Sequence, residues 1–91
     1  MATDTEKWIK IRTVLDMIAY SISLYKSGRI EFRELVNLIY QNVSEVFGIS
    51  IARDVVSIVN EERVETGEAL RKIQEFLVRK LIEGVNNEKD R

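Results

Sequence analysis

Four runs of apolar residues, recurring at steps of three and four and punctuated by Gly28, Gly48 and Gly67, constrain this chain more than any other feature. Steps of that kind place side chains on one face of an α-helix, which turns once in about 3.6 residues. Trp8, Ile11, Leu15, Ile18, Ile22 and Tyr25 make the first stripe. Phe32, Leu35, Val36, Ile39, Val43, Val46 and Phe47 make the second. Ile51, Ala52, Val55, Val56, Ile58 and Val59 form a third, wide enough to cover about half a helix circumference. Leu70, Ile73, Phe76, Leu77, Leu81 and Val85 supply the fourth, broadened by Val78 and Ile82. The spacing predicts helices over about 4–26, 31–47, 51–62 and 67–84, with a frayed polar tail over 86–91.

The punctuation between the runs agrees with those bounds. Thr3 followed by Glu6 has the form of a capping box, and Ser50 and Thr66 are expected to cap the third and fourth helices. Lys26 complements the dipole at the end of the first helix, where Gly28 follows it. Gly48 ends the second helix, and Gly84 and Asn86 stand near the end of the fourth. The β-branched content of the third run leaves a strand open for that segment. Trp8, in register with the first stripe, is expected in the core. Gly28 and Gly67 each fall between two helices, so the chain reads as two helix–loop–helix hairpins. The expected fold is all-α, with four helices arranged as an EF-hand-like pair or a small four-helix bundle.

Composition excludes several kinds of chemistry. With 91 residues there is room for one modest core. Neither cysteine nor histidine occurs, which removes thiolate nucleophiles, sulfur-ligated zinc and the usual general base near neutral pH. No Gly-x-Ser-x-Gly elbow accompanies the serines, and nothing groups the acidic pair Glu61 and Glu65 into a pocket, so no enzyme activity is expected. The formal net charge is −1; residues 1–50 carry six charges of each sign, and residues 51–91 carry eight basic against nine acidic. Such a balance gives no electrostatic footprint for nucleic acid. No apolar run reaches the roughly 20 residues a bilayer requires. The acidic, polar start lacks the order of a secretory signal, so a cytoplasmic setting is expected. Absence of cysteine with many Glu, Lys and Arg residues also fits heat adaptation.

One stretch carries a recognisable motif. In Ser23-Leu24-Tyr25-Lys26-Ser27-Gly28-Arg29-Ile30-Glu31-Phe32-Arg33-Glu34, glycine stands sixth, isoleucine eighth and glutamate twelfth. The second half of this stretch resembles the calcium loop of the EF-hand family, and the spacing of Gly28 and Gly67 is close to that of paired hands. The resemblance implies weak calcium binding, with Glu34 as principal ligand and Glu31, Ser23, Ser27 and the Arg29 carbonyl in support. The first half departs from the family pattern: Ser23, Tyr25 and Ser27 replace acidic or amide ligands, and Lys26, Arg29 and Arg33 crowd the loop. Around Gly67 the twelfth position is Ile73, so no bidentate ligand is present there, although Glu61, Glu62, Glu65 and Glu68 form an acidic turn. The alternative expectation is a calcium-independent interaction domain, binding a protein partner or a second copy through its third and fourth helices.

Overall fold

A computed structural model describes residues 4–89, with side chains described over 5–83. Four helices follow one another: α1 (Asp4–Lys26), α2 (Phe32–Phe47), α3 (Ile49–Glu61) and α4 (Glu68–Lys89), with a single 3-10 turn (Val64–Thr66) ahead of α4. No strand occurs among the described residues, so the β-branched third run is a helix. Thr3 lies outside the described residues. The fourth helix continues through Gly84 and Asn86 to Lys89.

Each helix packs on two neighbours: α1 on α2 and α4, and α3 on α2 and α4, with α2 and α3 the most intimate pair. The result is an elongated four-helix bundle, 47 × 21 × 20 Å. Every helix feeds the shared core at helical spacing: Ile11, Val14, Ile18 and Ile22; Leu35, Ile39 and Val43; Ala52, Val55 and Val59; Ala69, Ile73 and Leu77. A small residue on each of α3 and α4, Ala52 and Ala69, admits the larger side chains opposite.

The first helix turns a different edge inward than its sequence suggests. Two ladders of three- and four-residue steps share Ile11, Ile18, Ile22 and Tyr25, one adding Trp8 and Leu15, the other Val14 and Ser21. The bundle uses the second. Val14 is fully buried, and Ser21 is buried with its hydroxyl satisfied by the Met17 carbonyl at 2.9 Å. Trp8 therefore lies on the flank, 49% exposed, rather than in the core. Phe32 is also partly exposed, because it packs across the turn against Tyr25, with ring centroids 5.7 Å apart, instead of inward.

The three interhelical connections are short, and glycine backbone sets each of them. After α1, the Arg29 amide bonds the Leu24 carbonyl at 2.9 Å and the Gly28 amide bonds the Tyr25 carbonyl at 3.0 Å. That pair of bonds is a Schellman closure, and it requires the left-handed backbone Gly28 adopts at φ 80°. Between α2 and α3, Gly48 alone serves as the end of one helix and the start of the next, at φ 92° and ψ 167°. Helix α3 consequently starts at Ile49, and Ser50 lies inside it instead of capping it. Before α4, the Thr66 hydroxyl turns back to the Arg63 carbonyl at 3.1 Å, and the Gly67 carbonyl receives the first α4 bond from Arg71. Thr66 thus closes the 3-10 turn and does not cap α4. That turn buries Val64, which belongs to none of the helical stripes.

Candidate functional site

The predicted calcium-loop residues fall on three different pieces of backbone. Helix α1 runs on to Lys26, so Ser23 and Tyr25 remain helical, about 200° apart around the axis at 100° per residue. Ser27 and Arg29 lie in the Schellman turn, where the Ser27 hydroxyl donates to the Leu24 carbonyl at 3.0 Å. Glu31 and Glu34 start α2, linked by a capping box in which Glu34 accepts from the Glu31 amide. Both carboxylates are exposed and serve a helix terminus, where negative charge offsets the exposed amides. The acidic turn is similarly engaged in part. Glu62 pairs with Lys72, joining the end of α3 to α4, and Glu68 pairs with Arg71 at 2.8 Å. The Arg71 hydrogen bond holds the Glu68 carboxyl below its ordinary range, and Glu62 raises Lys72 above its own. Among the described residues no three acidic side chains gather as a metal-holding group.

A more extensive feature flanks α1. Between α1 and α4 runs a trough whose α1 wall is Trp8, Arg12, Leu15, Asp16 and Ala19, and whose α4 wall is Leu70, Gln74 and Val78. From Gln74 and Val78 the depression continues along the outer side of α4 to Ile82, bordered by Arg71, Glu75, Arg79 and Glu83. Trp8 and Ile82, about half exposed, are the large apolar side chains along its length that face water most. A second apolar depression lies on the other side of α1, lined by Met17, Tyr20, Leu24 and Leu38. The first helix is apolar around much of its circumference, and the bundle covers only one edge of it. The surplus apolar surface therefore lies on α1 and α4; on α3, Ile51, Val56 and Ile58 are half-buried and only Ile49 is well exposed.

The α4 border has an ordered charge pattern. Arg71, Glu75, Arg79 and Glu83 follow at four-residue steps, so neighbours along this ridge carry opposite signs. Arg71 joins Glu75 at 2.6 Å as well as Glu68, and both glutamates raise the guanidinium's affinity for its proton. These pairs are exposed, and each stabilises the isolated helix only slightly. Sequence periodicity marks Val78 and Ile82 as broadening the fourth stripe. It misses the trough, because it assigns Trp8 to the core, whereas Trp8 is half exposed and Leu15, though packed against the core, also lines the trough.

Comparison with protein-family models finds no match, and comparisons with curated proteins and with solved structures find none either. Among the described residues no helix is long and apolar enough to cross a membrane.

Proposed function

We propose that this chain is a helical protein-interaction module, and that the trough between α1 and α4 takes an amphipathic helix from its partner. The observation that carries this reading is the apolar trough itself, open to water along two helices with Trp8 and Ile82 exposed beside it. A surface of this type gains by being covered, since burying apolar area yields about 25 cal/mol per Å². The alternating charges on its α4 border select a helix whose apolar stripe is edged by residues of complementary sign.

A photo-crosslinking amino acid placed at Gln74, at the junction of the two stretches of the trough, tests this. Ser57, exposed on α3, serves as control. The expected result is adducts from position 74 only, mapping by mass spectrometry to an amphipathic helical segment. Equal labelling from position 57, or no adduct from 74 in cells and in concentrated protein, overturns the reading.

Weak calcium binding through Glu34, Glu31, Ser23, Ser27 and the Arg29 carbonyl is the competing proposal, supported by the order of residues in that stretch. The two separate in one amide NMR titration of wild type and Glu34→Gln. Calcium binding entails saturable shifts over residues 23–34 that vanish in the variant. We expect no such shifts up to several millimolar calcium, the weak end of the known range. Because glutamine also completes a capping box, Glu34→Gln is expected to keep the turn and to cost less than about 1 kcal/mol in thermal unfolding, the charge–dipole share alone.

A further inference from the structure

We propose that the helix occupying the α4 stretch of this surface is α4 of a second copy of the chain, docked antiparallel about a two-fold axis that meets the outer side of α4 at the level of residue 77, opposite the inward-facing Leu77. The inference rests on the interaction-module reading and names its partner. Along the exposed ridge the charges run Arg71, Glu75, Arg79, Glu83. Reversed end for end, that series presents glutamate where the original presents arginine. An antiparallel pair centred on residue 77 therefore sets Arg71 against the second copy's Glu83, and Glu75 against its Arg79. By symmetry each contact occurs twice. A parallel pairing in register would instead place like charges together, so the pattern selects the two-fold arrangement that closed dimers use.

The apolar residues beside the ridge agree with this arrangement. Val78 is half-buried and Ile82 is 53% exposed, and both lie next to the charged series on the outer side of α4. Facing ridges at four-residue steps are a common way for two helices to interdigitate. With a formal net charge of −1, two copies repel little at long range. Within its own helix Arg71 contacts Glu68 and Glu75, and Glu83 contacts Lys80; these exposed pairs are weak enough for the ridge charges to turn toward a second copy.

Charge reversal with restoration tests the register in the full chain. Sedimentation equilibrium from about 1 µM to about 1 mM, the span in which a modest interface titrates, reads the dissociation constant. Glu75→Arg and Arg79→Glu, each alone, are expected to weaken association at least about tenfold, because each repulsion is duplicated across the axis. Combining them restores opposite signs at that contact, and the constant is expected to return to within about threefold of wild type. Circular dichroism confirms that each variant is helical. Because the chain has no cysteine, Val78→Cys is a clean second probe, expected to form a disulfide-linked dimer on mild oxidation where Ser57→Cys does not. A wild-type chain that stays monomeric to about 1 mM overturns the self-docked dimer, as does a dimer indifferent to these charges. The module reading then depends separately on whether Gln74 adducts contain a different protein.

Discussion

Leu35→Ala is expected to lower the stability of the folded chain by about 3 kcal/mol, within the roughly 2–5 kcal/mol that large-to-alanine changes in cores cost. Leu35 is fully buried on α2, the helix that packs against both α1 and α3. Removing its side chain loses the transfer energy of three carbons and leaves a void that helices joined by short turns cannot close. Domains of this size are commonly stable by only about 5–15 kcal/mol, so the loss is a large fraction of the total. Urea unfolding followed by circular dichroism at micromolar protein should show a lower midpoint with an unchanged slope. A change of less than about 0.5 kcal/mol would contradict the central position given to α2.

The second large effect is expected from Val59→Asp. Val59 is 1% exposed on α3, and a short aspartate side chain there cannot reach water. An isolated buried carboxylate is costly enough that it holds its proton, which raises its folded pKa above the roughly 3.9 of the unfolded chain. The sign follows from that direction. Above the raised pKa the charged form favours unfolding, whereas on acidification the folded state takes up the proton first and the penalty shrinks. At neutral pH the destabilisation should exceed about 3 kcal/mol, a large fraction of the total stability. Relative to wild type, the variant should therefore recover part of its deficit as the pH falls from about 7 toward about 5, through the range of a raised carboxyl pKa. A deficit independent of pH would mean that the introduced carboxylate finds water or a cation, and that α3 is less enclosed than the burial of Val59 implies.

These expectations depend unequally on what the residues reveal by themselves. Helix spans were legible because apolar periodicity and glycine punctuation act locally: α1 and the end of α2 fall at the predicted residues, and α3 differs at its start. That difference arises because one glycine at positive φ, Gly48, lets a new helix begin immediately, which left Ser50 inside α3. Val64 escaped notice since it belongs to a 3-10 turn, and a single valine in a polar stretch has no period to betray it. Ala69 escaped for a related reason: a small residue contributes little to an apolar stripe, yet it fits where helices approach closely.

The candidate site was legible in its parts only. Gly28, Glu31 and Glu34 stood out in the sequence, and all three have local duties, one closing α1 and two starting α2. A motif read along the chain does not distinguish those duties from ligation, because both favour glycine and acids at similar spacings. Conversely, Arg71, Glu75, Arg79 and Glu83 resemble ordinary surface charge until α4 is seen to turn Ala69, Ile73 and Leu77 inward, which places that ridge on the outside beside Val78 and Ile82.

What the sequence determined by itself was the all-α class and the places where the first helices stop, because helix formation and capping depend on neighbours within about four residues. Only the tertiary structure decided which edge of α1 faces inward. Two ladders compete there, and although Trp8 and Leu15 make one the more apolar, the smaller Val14 and Ser21 are the residues buried in the bundle. That packing choice leaves Trp8 on the flank of the bundle and Leu15 half-buried beside it, and with them the trough between α1 and α4.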